Sequence, residues 1–243
     1  MPGIWFTISS PSGKWQKIDC VGAEDLFELQ TGCRLHFGLM ELRKGSPLCC
    51  AGLGVMLDQP RLRIRIQQAA SPHSRRCGKA VSIMAEQELP QLSVVELTSR
   101  VDEWVQSIGW DDSKPQKPEV EIVEAFPFHC GLGTGTQLAC LLALAGEMLR
   151  YEQQRAVGQM LEGWQEPLDA EFRPVGQSRP GLDAPELAVR SKRGQRSGIG
   201  VQGFIRGGLI LDSGLTDSVS SEAPSRTCSY SMPESWKFVL IRS

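Results

Sequence analysis

The residues best suited to chemistry form one short stretch, residues 129–138, in which three alternating glycines and two threonines lead into an apolar run. Glycine lets the backbone approach an anion closely, and the N–H groups at the start of a helix carry partial positive charge. Threonine hydroxyls add donors, and that of Thr136 is a candidate magnesium ligand. The spacing therefore predicts a phosphate-binding loop followed by a helix.

Two better-known glycine motifs do not fit this stretch. A P-loop ends in Lys followed by Ser or Thr, and Gly135-Thr136-Gln137 supplies no lysine. A dinucleotide fingerprint requires a third glycine three residues after the second, where Thr136 stands. The alternative interpretation is a glycine-rich turn, capped by Thr134, that serves only to start the helix.

A second candidate is the basic segment 190–196, which carries four cations directly before Ser197 and Gly198. Arginine can bind phosphate or carboxylate bidentately, whereas lysine acts as a point charge. Arg193 and Arg196 are therefore candidates for binding an anion. The alternative interpretation is a solvated basic loop.

Three motifs in a fixed order resemble a known family. Gly131-Leu132-Gly133-Thr134-Gly135-Thr136 is similar to the phosphate-binding loop of the GHMP kinase superfamily. Together with Arg-Leu-His-Phe-Gly-Leu at 34–39 and Arg-Gly-Gln-Arg-Ser-Gly-Ile-Gly at 193–200, it resembles the β-ribofuranosylaminobenzene 5′-phosphate synthase branch. The resemblance begins near residue 32 and extends to residue 243.

The resemblance implies an α+β fold with a GHMP-kinase-like N-terminal domain, of the ribosomal-protein-S5 domain 2 type, at residues 20–212. Residues 1–19 match nothing in the family and form an unmatched extension. Residues 213–235, with eight serines and two prolines, are typical of a mobile loop or linker. Residues 236–243 are expected to form the first strand of a C-terminal domain that family members carry and that is largely absent from this chain.

The resemblance also implies an activity. The synthase branch joins phosphoribosyl pyrophosphate to 4-aminobenzoate with release of carbon dioxide and pyrophosphate, in tetrahydromethanopterin biosynthesis, and magnesium is the expected cofactor. The residues implied in phosphate binding are Gly131, Leu132, Gly133, Thr134, Gly135 and Thr136. The residues implied in catalysis are His36, Arg193 and Arg196, and those implied in substrate binding are Arg34, Ser197 and Gly198.

One departure helps to separate branches of the superfamily. Several sugar and mevalonate kinases carry Ser-Gly-x-x-Asp-Gln where this chain has residues 197–202, and Val201 replaces the Asp. Valine cannot accept a proton or orient a hydroxyl, so the departure counts against an Asp-dependent kinase. Two alternatives stay open: an ATP-dependent small-molecule kinase, and an inactive, truncated phosphate-binding relative.

Composition sets the outer limits. The chain has 243 residues, is 41% hydrophobic and 22% charged, and carries a net charge of −2, which gives no general attraction to nucleic acid or membranes. The longest apolar run, residues 138–145, is far too short to span a bilayer. Eight cysteines without a Cys-x-x-Cys pair indicate reduced thiols. We expect a cytoplasmic protein without nucleic-acid or membrane partners, with a homodimer as a possible assembly.

Hydrophobic periodicity predicts the elements around these motifs. Alternation at residues 61–66 predicts a half-buried strand whose arginines face water, and helical spacing at 92–108 predicts an amphipathic helix. A strand at 120–126 leads to the glycine loop, and a helix at 138–149, apolar on nearly every side, follows it. Residues 199–211 are expected to form a strand pair that turns at Gly207-Gly208.

Overall fold

The computed structural model describes residues 7–9, 14–16, 25–40, 48–49, 51–68, 81–83, 89–108, 118–156, 184–193, 197–216, 227–233 and 235–240. The strands in these ranges are β1 (Thr7–Ser9), β2 (Lys14–Gln16), β3 (Asp25–Met40), β4 (Leu48–Cys49), β5 (Ala51–Gln68), β6 (Val81–Ile83), β7 (Pro118–Glu124), β8 (Leu209–Asp212), β9 (Leu215–Thr216) and β10 (Thr227–Tyr230). The helices are α1 (Gln91–Ser107), α2 (Thr134–Ala156), α3 (Ala184–Ser191) and α4 (Ile199–Arg206). The predicted α+β class is confirmed.

The main sheet is organised around the long strand β5. Strand β3 pairs with β5 along most of its length, while β8 and β7 pair with opposite halves of its other edge. Strand β10 extends the sheet beyond β8, and β6 extends it beyond β7. All of these pairs are antiparallel except β6–β7, which α1 connects as a parallel crossover. The sheet therefore delivers the ends of β3, β7 and β8 to the neighbouring helices.

The predicted strand at 61–66 lies within β5, and its alternation determines what it buries. Leu62, Ile64 and Ile66 are fully buried. The intervening arginines were expected to face water, but Arg65 forms ion pairs of 2.7 Å with Glu121 and 3.1 Å with Glu28. Cross-strand carboxylates therefore compensate this stripe of positive charge.

The two predicted helices that flank the glycine loop are present. Helix α2 buries residues around most of its circumference, as its all-round apolar sequence predicts, and it starts four residues before the expected position. Helix α1 buries Leu97 and Val101, whereas Leu92 and Val95 are exposed. The buried stripe of α1 is thus narrower than its pattern of apolar residues indicates.

The strand pair predicted at residues 199–211 is wrong in its first half, because residues 199–206 form helix α4. Six consecutive residues of α4 are buried, so the segment shows no polar face that would reveal a helical period. Its glycines permit close packing: a Cβ on Gly203 would lie 2.7 Å from Met56 Cγ. The turn at Gly207-Gly208 is present, with positive φ at both residues, and leads into β8.

Two further predictions near the C-terminal end differ from the structure. The serine-rich segment 213–235 contains β9 and β10, and β10 pairs with β8 along Thr227–Tyr230. Residues 236–240 form no strand, and Trp236 and Val239 are 61% and 84% exposed. A strand requires a hydrogen-bonded neighbour, and within the described ranges none lies beside this segment.

Four cysteines whose side chains are described, Cys33, Cys130, Cys140 and Cys228, are free thiols. Burial raises the pKa of Cys33 and of Cys140 to about 12, so both stay protonated at neutral pH. The other four cysteines fall outside the residues with described side chains. No helix in the described part of the chain is long and apolar enough to cross a membrane.

Candidate functional site

The glycine loop has the backbone geometry of an anion site. Three residues adopt positive φ, namely His129 at 60°, Gly131 at 80° and Gly133 at 77°. The Gly133 carbonyl accepts the N–H groups of Thr136 and Gln137, both at 3.0 Å, and this starts helix α2. The N–H groups of Thr134 and Gly135 come before these first bonds of the helix, so they are available to an anion.

Three contacts hold the loop in place. The Thr134 hydroxyl donates to the Pro127 carbonyl at 2.7 Å, and the Phe128 N–H donates to the buried Ser93 hydroxyl of α1 at 3.1 Å. On the other side, an N–H of β3 donates to the Leu132 carbonyl at 2.8 Å. The Thr134 hydroxyl is therefore already bonded within the loop. The contact with phosphate that the sequence predicts for Thr134 would be made by its backbone N–H.

Arg34, predicted to bind substrate, extends from β3 between two glycines. A Cβ on Gly133 would lie 3.1 Å from Arg34 Nε, and a Cβ on Gly200 would lie 2.8 Å from Arg34 Nη1. These glycines therefore leave room for the guanidinium. Arg34 Nε is buried without a hydrogen-bond partner, and desolvation lowers the pKa of the guanidinium.

Arg193, predicted to be catalytic, is positioned by the end of α3. Lys192 adopts φ 53°, and the Arg193 N–H bonds back to the Ala188 carbonyl at 2.9 Å, which closes the helix in a Schellman motif. Arg193 Nη2 lies 3.8 Å from the position of a Cβ on Gly135. Its Nε is buried without a partner, and desolvation, together with the nearby charge of Arg100, lowers its pKa. Arg196 lies outside the described residues.

Arg100 extends from α1 to the same loop glycine, Gly135, although the sequence motifs did not include this arginine. Its Nε and Nη2 both donate to Glu96 Oε1, at 3.1 and 2.7 Å, and its guanidinium lies over the Phe128 ring at 5.4 Å. Arg100 Cζ is 3.8 Å from the position of a Cβ on Gly135. His129 Nε2 lies 2.9 Å from the other oxygen of Glu96. The amphipathic pattern of α1 placed Arg100 on a polar face but gave no sign that this face meets the loop.

These contacts give the start of α2 an excess of positive charge. Arg34, Arg100 and Arg193 approach Gly133 or Gly135 from three different elements, and in the described part of the chain their carboxylate partner is Glu96 alone. The positive end of the helix dipole adds to this field. A bound anion would therefore supply negative charge that the described residues around the loop do not provide.

The predicted substrate residues Ser197 and Gly198 have a different partner. The Ser197 hydroxyl and the Gly198 N–H donate to one oxygen of the buried Asp212, at 3.0 and 2.7 Å. The Gly214 N–H donates to its other oxygen at 3.1 Å. Sequence reasoning missed Asp212, although a carboxylate that ends the apolar strand Leu209–Asp212 is a signal. This carboxylate fixes the start of α4, which brings Gly200 to Arg34.

His36, predicted to be catalytic, lies two residues after Arg34 on β3. Its Nδ1 accepts the Gly38 N–H at 3.0 Å, which places the ring proton of the neutral form on Nε2. Burial and then the charge of Arg34 lower the pKa of His36, while Asp212 opposes them. The lowered pKa keeps the His36 ring neutral at physiological pH. Its ring lies near the Arg34 guanidinium, which is also beside Gly133 of the loop.

Gln137 and Thr136 connect the loop to the rest of the site. Gln137 is fully buried and bridges two elements, because it accepts from Thr31 of β3 at 3.0 Å and donates to the Gly200 carbonyl at 3.4 Å. Thr136 packs against Gly200. No three His, Cys, Asp or Glu side chains of the described residues form a group that could hold a metal ion. The proposed magnesium ligand Thr136 is thus a lone hydroxyl.

Two curated proteins are similar to this chain. A β-ribofuranosylphenol 5′-phosphate synthase of Methanothermobacter thermautotrophicus is 27% identical over 222 residues, which cover 87% of this chain and 56% of that protein. The synthase of the same name from Methanocaldococcus jannaschii is 24% identical over 188 residues, covering 76% and 46%. The resemblance to this synthase branch, predicted from three motifs, is confirmed.

The chain spans about half the length of these synthases. No protein-family model matches it. Among solved structures, Staphylococcus aureus mevalonate kinase is similar with 14% identity and a TM-score of 0.46, over 82% of this chain and 54% of that one. A Legionella pneumophila mevalonate diphosphate decarboxylase has 12% identity and a TM-score of 0.41, over 85% and 54%.

Proposed function

We propose that this chain carries the phosphate-binding part of a synthase that joins phosphoribosyl pyrophosphate to 4-aminobenzoate, with release of carbon dioxide and pyrophosphate. The observation that carries the proposal is the pair of buried guanidinium Nε atoms, of Arg34 and Arg193, that have no hydrogen-bond partner beside the start of α2. A buried donor without a partner is costly, and a bound anion removes that cost. The similarity to two β-ribofuranosylphenol 5′-phosphate synthases also supports the proposal.

The reaction fits a site that is rich in positive charge. The carboxylate-bearing ring carbon attacks the anomeric carbon of the sugar, the bond to pyrophosphate breaks, and its electron pair leaves with the pyrophosphate. Carbon dioxide then leaves the same ring carbon, and the released electron pair restores aromaticity. No proton is removed in this sequence, so a site without a dedicated carboxylate base suits it. Arg34 and Arg193 would stabilise the charge that develops on the leaving group.

Two aromatic acceptors deserve comparison. An amine para to the carboxylate donates electron density to the attacking carbon, and a hydroxyl at the same position does so too. We propose 4-aminobenzoate as the acceptor, because the sequence motifs resemble the aminobenzene branch. The relatives are named for a ribofuranosylphenol product, so 4-hydroxybenzoate is the competitor that an assay must include.

Magnesium enters this proposal together with the diphosphate. Magnesium is usually held by one or two carboxylates plus the phosphates of a substrate. Asp212, the carboxylate near the start of α4, has both oxygens engaged by protein donors. Phosphate oxygens of the ligand and water would thus supply most of the ligands of the ion, with Thr136 as the proposed protein hydroxyl.

A second candidate function is an ATP-dependent kinase, because ATP also presents magnesium-bound phosphates. The observation against an Asp-dependent kinase is Val201, which is buried in α4 where such kinases carry their Asp. Asp212 is not free to take over the role of that Asp, because its carboxylate already accepts hydrogen bonds from three donors.

The test is calorimetric titration of the chain with phosphoribosyl pyrophosphate and, separately, with ATP, both with magnesium at fixed ionic strength. We expect binding of phosphoribosyl pyrophosphate and little response to ATP. Preference for ATP would replace the synthase by the kinase. Where binding is found, release of labelled carbon dioxide from 4-aminobenzoate and from 4-hydroxybenzoate, with and without the chain, assigns the acceptor.

A further inference from the structure

We infer that Arg100 of α1 is a specificity residue that binds the second phosphate of a diphosphate ligand, next to a first phosphate at Arg34 and the loop. The inference rests on the proposed function for the existence of the site and adds a residue to it. It concerns which anion the site prefers, and so it can fail or stand separately from the identity of the whole substrate.

The arginines divide between two neighbouring positions of the loop. Arg34 lies at Gly133, where its Nε is 3.1 Å from the position of a Cβ. Arg100 and Arg193 both lie at Gly135: Arg100 Cζ and Arg193 Nη2 are each 3.8 Å from the position of a Cβ on that glycine. Two adjacent cationic positions on one helix start match two linked phosphates better than a single phosphate, which Arg34 and the loop N–H groups can bind by themselves.

Arg100 is held ready for such a role. Glu96 accepts hydrogen bonds from Arg100 Nε and Nη2, and the Phe128 ring packs against the guanidinium. These contacts hold the side chain in position before a ligand binds. Arg100 Nη1 donates to no side chain in the described ranges, and about a third of the side chain is accessible. Arg100 and Arg193 repel each other across Gly135, and a phosphate between them would relieve that repulsion.

The experiment compares inorganic pyrophosphate with orthophosphate by calorimetry, with magnesium at fixed ionic strength. For Arg100→Gln we expect pyrophosphate affinity to fall about 10-fold or more, the usual effect of a lost charge-assisted contact, and orthophosphate affinity to change less than about 3-fold. Arg150→Gln is the matched control, because Arg150 is also paired with a glutamate on an exposed helix face but lies about 24 Å along α2. It should leave both affinities unchanged.

Other outcomes are equally informative. Equal losses for both anions in Arg100→Gln, or no loss for either, would overturn the inference while leaving the synthase proposal in place. Arg100→Lys keeps the charge beside Glu96 and serves if the glutamine variant does not fold; we expect an intermediate loss because lysine cannot bind bidentately. Binding of pyrophosphate but not of phosphoribosyl pyrophosphate would sink the proposed function alone. Binding of neither anion by the unmodified chain would overturn both.

Discussion

Two groups of arginines in this molecule have opposite electrostatic surroundings. On the sheet, Arg63 and Arg65 lie among three glutamates of neighbouring strands. At the start of α2, three arginines share Glu96 as the one carboxylate that the described residues provide. Carboxylates of the described residues balance the first group, whereas the second keeps an excess of positive charge that a bound anion would offset.

The comparison separates structural arginines from ligand-binding ones by charge balance. Glu28 and Glu121 are nearly buried and pair with Arg65, and even Arg63 Nε, which donates no hydrogen bond, lies 3.9 Å from Glu124, so carboxylates balance the sheet arginines. Arg34 and Arg193 each keep a buried Nε without a hydrogen-bond partner, and neither forms an ion pair with a carboxylate of the described residues. Substitutions in the two groups should therefore affect different properties, stability for the first and anion affinity for the second.

The largest expected effect comes from the loop glycine next to Arg34. Gly133→Val places a branched side chain at φ 77° and against the Arg34 guanidinium, so we expect phosphoribosyl pyrophosphate affinity to fall by about 100-fold or more. Calorimetry measures the loss, and circular dichroism measures whether the fold persists. Gly131→Val is the matched control, since its φ is 80° but nothing lies within 4 Å of its Cβ. Equal losses in the two variants would show that strain, and not displacement of Arg34, is responsible.

A smaller effect is expected from one arginine of the loop group. Arg193→Gln removes a charge-assisted contact worth about 1.5 to 3 kcal/mol, or roughly 10- to 150-fold in affinity for phosphoribosyl pyrophosphate. The free energy of unfolding of the ligand-free variant should not decrease, because Arg193 Nε has no partner to lose. Unchanged affinity, measured by the same titration, would return Arg193 to a solvated basic loop.

The sheet group should respond in the reverse way. Arg65→Gln leaves Glu121 largely buried without its ion pair and Glu28 with only its 3.6 Å pair to Arg63, and we expect the free energy of unfolding to fall by about 1 to 3 kcal/mol. Urea denaturation monitored by circular dichroism measures this change. Affinity for phosphoribosyl pyrophosphate should stay within about 2-fold of the original value. Weaker binding in a folded Arg65→Gln variant would break the division between the two groups.

The sequence predicted the loop better than the residues that complete it. Glycines and threonines at 131–136 have few other uses before an apolar helix, so both loop and helix could be predicted. Arg100 could not be assigned, because it is the packing of α1, through buried Leu97 and Val101 and the hydrogen bond of Ser93, that brings this residue to Gly135. Sites assembled from distant segments depend on contacts that local spacing does not encode.

Helix α4 and Asp212 illustrate the same limit in the fold. Residues 199–204 are all buried, so neither a helical nor a strand period was visible, and the prediction of a strand was wrong. The start of α4 is fixed by Asp212, which follows in sequence after the helix and a strand. The acceptor for the N–H at the start of this helix comes from a later strand, so the start of the helix could not be located from its own residues.

The smallest expected effect is a change in the pKa of His36, which depends on the charge of Arg34 at the loop. Burial and the charge of Arg34 hold the pKa of His36 below its usual range, so any anion that offsets Arg34 should raise that pKa. Proton NMR of the ring Cε1–H signals against pH, with and without inorganic phosphate, measures it. The chain has three histidines, so the signal of His36 is assigned by its loss in His36→Asn.

The direction of the effect on stability follows from the same lowered pKa. A histidine whose pKa is lower in the folded state stabilises the fold above the pKa of the unfolded chain, about 6.5, and this contribution disappears as pH falls through the folded pKa. Protonation also costs the hydrogen bond from the Gly38 N–H, since Nδ1 becomes a donor. His36→Asn should therefore lose less stability than the original chain between pH 7 and pH 5. Arg34→Gln should raise the pKa of His36 without any ligand, and a phosphate-induced shift of the same size in that variant would mean that phosphate acts on His36 by a route other than Arg34.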